Sequence, residues 1–184
     1  MNVIQTQIPE ILIIEPKVSG DQRGFFCETY QIDRYASYGI MGPFVQDNLS
    51  RSSSGVLRGL HFQNPRSQGK LVSVLRGRIL DVAVDVRLGS PTFGQHVIAE
   101  LSEDNHRQLW VPRGFAHGFL VFSESADFFY KCDEFYSPSD EVALRWNDPA
   151  IGIRWGVDTP TLSARDAAAP PLAEVKNLPV YGKS

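Results

Sequence analysis

Apolar residues in this chain come in short runs cut by turn-forming residues, not at the three-to-four-residue spacing of an amphipathic helix. Runs at 11–14, 25–30, 44–50, 55–63, 69–75 and 79–85 are followed by others at 93–101, 107–111, 117–122, 127–132 and 142–146. They are rich in β-branched and aromatic side chains, and Gly, Pro, Ser or Asp separates nearly every pair, which predicts strands. The segments 20–24 and 52–55 read as turns. One stretch, 32–38, has Asp33 near its start and Gly39 behind it, and is expected to form a helix of about two turns. Strands spaced about 8 to 15 residues apart, with no long helical period between them, predict an all-β sandwich or barrel. Beyond Trp155 the chain turns to Pro, Ala and charge, so 167–184 is expected to be a peripheral tail or short helix packed on the outside.

Composition narrows the class. A chain of 184 residues is most simply one domain, 1–184, long enough to bury a core without staples. Two cysteines, Cys27 and Cys132, argue against a disulfide framework and for a reducing, cytoplasmic compartment. The first residues lack the pattern of a secretory signal, and no run approaches the roughly 20 apolar residues needed to span a bilayer.

Charge is unevenly placed. Net charge is −3, yet the segment between Asn48 and Leu80 holds six cations (Arg51, Arg58, Arg66, Lys70, Arg76 and Arg78) and no carboxylate, leaving −9 for the remainder. An anionic ligand would be drawn by this local patch and not by the overall field.

The same region carries the candidate chemistry. Pro112-Arg-Gly-Phe-Ala-His117 matches Pro-x-Gly-x-x-His, the second motif of cupin jelly-roll barrels. A metal-binding barrel would add a His-x-His pair and a Glu on earlier strands. Here Leu60-His61-Phe62-Gln63 offers one histidine, Lys70 would repel a metal, and His96 and His106 stand in solvent-like contexts. Proton transfer suits such a site better, because imidazole titrates near neutrality and His61 can act as a general base. The plainer alternative is that His61 packs beneath a strand with a satisfied hydrogen bond. Arg58, Lys70 and His117, expected around the same barrel, would stabilise an enolate as its charge develops. Arg58 and His61 point to opposite faces of a regular strand. If both serve the site, Gly59 between them must form a bulge. Of Tyr130 and Lys131 one faces inward, and Tyr130 can either pack in the core or return a proton opposite His61. Tyr136 reads as an exposed aromatic able to stack on a base.

Taken together these residues resemble the dTDP-4-dehydrorhamnose 3,5-epimerase family of nucleotide-sugar enzymes. The likeness runs from Ile8-Pro9 to about Pro171 and is carried by Asp21-Gln-Arg-Gly-Phe-Phe26, Phe44-Val-Gln-Asp-Asn48, Val56-Leu-Arg-Gly-Leu-His61, Gln68-Gly-Lys-Leu-Val72, Asp81-Val-Ala-Val-Asp85, Ser90-Pro-Thr-Phe-Gly94, Gly114-Phe-Ala-His-Gly-Phe119, Trp146-Asn-Asp148 and Leu162-Ser-Ala-Arg-Asp166. It implies a cupin-type jelly roll, usually a homodimer, acting on a dTDP-4-keto-6-deoxyhexose with neither metal nor coenzyme, and without nucleic-acid or membrane partners. It implies His61 as base, oriented by Asp166, Tyr130 as acid, and Arg58, Lys70 and His117 near the sugar and its 4-keto oxygen. Arg23, Glu28, Gln46, Asn48 and Glu141 match nucleotide or diphosphate contacts, Arg165 stands where the family commonly has Lys, and Tyr136 matches an aromatic stacked near the thymine. Two departures bear on specificity. Leu49 replaces a frequent His and Cys27 a more usual aromatic, and relatives exist that invert carbon 3 alone or act on other deoxysugars. A metal-dependent cupin enzyme and a non-catalytic nucleotide-sugar-binding jelly roll are the rival classes.

Overall fold

The computed structural model describes residues 1–183; Ser184 lies outside the described residues. Two antiparallel sheets face each other in a jelly-roll sandwich. The six-stranded sheet runs β1 (Asn2–Gln5), β2 (Leu12–Glu15), β10 (Gln108–Val111), β7 (Lys70–Arg76), β12 (Ser125–Cys132), β5 (Gln46–Ser53). The five-stranded sheet runs β13 (Glu141–Ala143), β6 (Leu57–Gln63), β11 (Phe115–Val121), β8 (Arg78–Asp85), β9 (His96–Ser102). Strands distant in sequence are neighbours in both, so the connections cross the ends of the sandwich and leave the space between the sheets to side chains.

Alternation decides which side chains enter that space. On β7, Val72 and Val74 point inward with Lys70 in register, while on β12 Ala126 and Phe128 point inward with Tyr130 and Cys132 in register. Val97, Ala99 and Leu101 of β9 and Phe115, Phe119 and Val121 of β11 close the core from the facing sheet. All seven residues of β11 are buried, because the five-stranded sheet is covered on both faces. Its outer face carries Leu57, Leu60, Phe62, Val82, Val84, Ala116 and Leu120 against Leu144, Ile151, Trp155 and Leu172.

The C-terminal segment therefore does more than the expected peripheral tail. It lies outside the sandwich, but Ala169 and Leu172 are buried, and the Leu172 amide donates to Asp148 Oδ2 at 2.7 Å. The helix expected at 32–38 is shorter, α1 (Ile32–Ala36), and is capped by the Gln31 side chain and not by Asp33. It lays Tyr35 over Leu12, Ile14 and Trp110 on the outer face of the six-stranded sheet. The run at 25–30 and the turn at 20–24 become a two-stranded hairpin, β3 (Val18–Asp21) with β4 (Gly24–Cys27), and the turn shrinks to Gln22 and Arg23. The first strand, at the N-terminus, has no counterpart in the sequence reading because its polar residues hide the alternation. No described helix is long and apolar enough to cross a membrane.

Candidate active site

At one end of the sandwich the sheets part around a cavity of about 720 Å³. Arg58, His61 and His117 enter it from the five-stranded sheet, and Gln46, Asn48, Lys70 and Tyr130 from the six-stranded sheet. Tyr136, Glu141, Arg165 and Asp166 complete the lining from the rim.

The local backbone explains why Arg58 and His61 share a face. Between the pairs His117 with His61 and Phe119 with Arg58, β11 spends one intervening residue and β6 spends two. The extra residue is the expected bulge, and it sends Leu57, Leu60 and Phe62 to the outer core while Arg58 and His61 both face the cavity. Gly59 sits at φ 122° with its backbone against Gly118; a Cβ on it would lie 2.6 Å from Gly118 Cα. Only glycine meets both demands.

Two histidine–carboxylate pairs lie side by side. His61 Nε2 is 2.6 Å from Asp166 Oδ1, which makes Nε2 the protonated nitrogen and leaves Nδ1 free to take a proton. Asp166 belongs to the single-turn α2 (Ala164–Ala167), capped by Ser163, and its second oxygen accepts a long bond from the Gly59 amide at 3.5 Å. Burial pushes the Asp166 carboxyl up, but the bonds from His61, Ser163 and Gly59 outweigh it and hold its pKa below the usual carboxylate range. His117 Nε2 is 2.8 Å from Asp81 Oδ1, with the imidazole stacked on Phe128.

Across the cavity, Tyr130 is pushed up to about 12, first by burial and then by the negative charge near it, so its hydroxyl keeps its proton throughout the neutral range. Lys70 is lowered by desolvation, opposed by Cys132, Glu141 and Asp81. It forms no salt bridge among the described residues, which leaves the ammonium free for a ligand. At the rim Glu141 accepts from Tyr136 Oη at 2.9 Å and pairs with Arg165, whose guanidinium also reaches the Glu141 carbonyl. Burial raises the Glu141 pKa, and the bonds from Arg165 and Tyr136 bring it below normal. Gln46 accepts from the Tyr136 amide and donates to Asn48, tying the six-stranded wall to the rim.

Two sequence expectations are corrected, the single basic patch and the solvent-like contexts of His96 and His106, and Arg23 and Glu28 lie elsewhere in the chain's structure. The basic segment is not one patch: Arg51, Arg66 and Arg78 turn away to pair with Asp127, Asp140 and Glu100, and of the six cations Arg58 and Lys70 line the cavity. Arg51 and Arg78 occupy exposed positions of β5 and β8, and Arg66 lies in the loop between β6 and β7. Arg23 and Glu28 do not reach this cavity; they pair with Asp21 and Arg34 on and beside the projecting hairpin, with 85% of the Arg23 side chain exposed. His96 and His106 are half-buried, the former lowered by desolvation and the latter set against the Phe25 ring. Asp81 stands in the motif Asp81-Val-Ala-Val-Asp85 without an assigned role; its burial against His117 marks it as part of the site, and an acid within the apolar run 79–85 is the signal of it. Among the described residues no group of three or more His, Cys, Asp or Glu is placed to hold a metal ion.

The family model described as dTDP-4-dehydrorhamnose 3,5-epimerase matches residues 5–174. The chain belongs to this family. It is 56% identical over 175 residues to the dTDP-4-dehydrorhamnose 3,5-epimerase of Salmonella typhimurium, covering 94% of this chain and 96% of that one. The fold superposes with a TM-score of 0.95 on a dTDP-6-deoxy-D-glucose-3,5-epimerase from Legionella pneumophila in complex with dTDP-4-keto-L-rhamnose, at 55% identity and 98% coverage of both chains. A more distant structure, a 3'-monoepimerase from Streptomyces bikiniensis in complex with dTDP-quinovose, gives a TM-score of 0.90 at 34% identity, covering 96% of this chain and 92% of that one. These relatives assign the jelly roll to the cupin-like epimerases and the chain to the isomerases.

Proposed function

We propose that this epimerase inverts carbons 3 and 5 of a dTDP-4-keto-6-deoxyhexose in dTDP-L-rhamnose biosynthesis. The observation that carries the reading is the placing of His61, with its Asp166 partner, on one wall and Tyr130 on the other, across a cavity of about 720 Å³. The ketone at carbon 4 acidifies the hydrogens at carbons 3 and 5. His61 Nδ1 takes one of them, and the electron pair moves to the carbonyl oxygen as an enolate. Lys70, Arg58 and His117 supply positive charge or hydrogen bonds to the oxygen as its charge grows. Tyr130, still protonated, returns a proton to the opposite face and inverts the centre. The sequence is redox-neutral and each proton has a protein donor or acceptor, so the chemistry calls for neither coenzyme nor metal.

Binding follows from the rim. Arg165 presents a planar fork suited to a diphosphate, Tyr136 a ring for the thymine face, and Gln46, Asn48 and Glu141 polar groups for the nucleoside. Arg23 and Glu28 are assigned to a second copy's nucleotide site. The hairpin that carries Arg23 stands away from the sandwich, with Phe25 and Phe26 64% and 72% exposed, and Leu49 and Leu75 leave a further apolar surface on the six-stranded sheet. A homodimer would cover both and use Arg23 in trans. Sedimentation of the wild type and of Phe26→Asp tests this; a wild type that stays monomeric at micromolar concentration overturns it. The two-cysteine composition supports a cytoplasmic setting.

The deciding experiment follows deuterium entry from deuterated water into dTDP-4-keto-6-deoxyglucose by NMR. Exchange and inversion at both carbons is expected. Exchange at carbon 3 alone would make the chain a 3-epimerase like its Streptomyces bikiniensis relative, and no exchange would overturn the enzymatic reading for this substrate.

A further inference from the structure

Four aspartates are buried in the described structure: Asp81, Asp85, Asp148 and Asp166. Three of them are well satisfied. Asp85 takes bonds from Arg87, Ser90 and Thr92, Asp148 from the amides of Ala150 and Leu172, and Asp166 from His61, Ser163 and the Gly59 amide. Asp81 differs. Its side chain is fully buried on β8, Oδ1 is bonded to His117 Nε2, and Oδ2 has no partner among the described residues. A carboxylate in that position costs folding free energy that an apolar residue would not. Its one hydrogen bond goes to an imidazole of the cavity wall.

We infer that Asp81 is a positioning residue for the epimerisation, acting through His117. The carboxylate holds the proton on His117 Nε2, so that Nδ1 is the nitrogen presented to the substrate, and it fixes the ring plane together with the stack on Phe128. The same carboxylate balances the charge of a ring protonated on both nitrogens, the form in which Nδ1–H donates a hydrogen bond to the oxygen that becomes the enolate. The register supports this division of labour. His117 and His61 are direct cross-strand partners, and Asp81 lies opposite Phe119 on the far side of β11, so the two imidazoles are backed by carboxylates from different directions. This inference rests on the epimerase reading above, since it takes His117 to face the substrate oxygen.

The test is Asp81→Asn, which keeps the shape and removes the charge. The expected result is a fall in kcat of about 100-fold with KM and dTDP affinity within about threefold. In a His117→Asn background the same substitution is expected to cost less than about threefold, because its effect runs through the ring. Equal losses in both backgrounds, or full activity in the single variant, overturn the inference. A second measurement holds if Asp81→Asn does not fold: nitrogen-15 NMR of the unliganded wild type should show His117 Nε2 protonated, and the Nδ1–H tautomer would overturn the assignment. The NMR result needs no substrate, whereas failure of the wild type to exchange substrate protons would strike the epimerase reading instead.

Discussion

The two histidine–aspartate pairs are built from the same groups at nearly the same distance, yet their surroundings differ. His61 is 28% exposed in the cavity and Asp166 behind it is 4% exposed, with a helix cap and a backbone amide sharing its charge. His117 is 7% exposed and Asp81 not at all, with one bond between them and a free oxygen left over. A satisfied, slightly open pair suits a base that must gain and lose a proton within each turnover. A closed pair with one carboxylate oxygen left without a hydrogen bond suits a fixed electrostatic element. What a His–Asp pair can do is set by its second carboxylate oxygen and its access to the cavity, not by the pair itself.

The sharpest way to break that contrast is His61→Ala. Losing the base should reduce deuterium exchange at carbons 3 and 5 by roughly 10²–10⁴-fold while dTDP binding, measured by calorimetry, stays within about threefold. If His117→Ala alone removes exchange as completely and His61→Ala does not, the roles are reversed. Tyr130→Phe probes the opposite wall. Net inversion should fall by about 10²-fold while exchange with solvent persists, and full inversion by the variant would remove Tyr130 as the acid.

Asp166→Asn should lower kcat by about tenfold to 100-fold, and it also carries a stability signature. The folded-state pKa of Asp166 lies below its unfolded value, so its contribution is complete above the unfolded pKa of about 4 and is lost as pH falls through the folded value. The stability of the variant should therefore change less than that of the wild type between about pH 5 and pH 2, checked by denaturant melts across that window.

Gly59→Ala attacks the bulge that brings Arg58 and His61 to one face. With φ 122° and a clash at 2.6 Å, a loss of about 2–5 kcal/mol is expected by chemical denaturation. The smallest effect belongs to Arg51, a member of the basic segment that the strand turned away from the site. Arg51→Ala should leave both the denaturation midpoint and turnover close to the wild-type values, because its pair with Asp127 is screened by water.

Much of this molecule was legible in its residues. Short β-branched runs divided by turns determined an all-β sandwich or barrel, because strands of that length bury those side chains only by packing sheet against sheet. If Arg58 and His61 serve one site, a bulge at Gly59 is required, since a regular strand separates their side chains, and the ordered motifs pointed to the family. The sequence could not reveal that the six-cation segment splits, as Arg51, Arg66 and Arg78 find carboxylates that only the folded chain brings beside them. Nor did it show that Ala169 and Leu172 close the outer face of the five-stranded sheet, or that Arg23 and Glu28 stand apart from the cavity. Asp81 depends most on tertiary structure. Its significance lies in which imidazole its one bond reaches and which oxygen is left without a partner, and both follow from how β8 and β11 pair across 36 residues of chain.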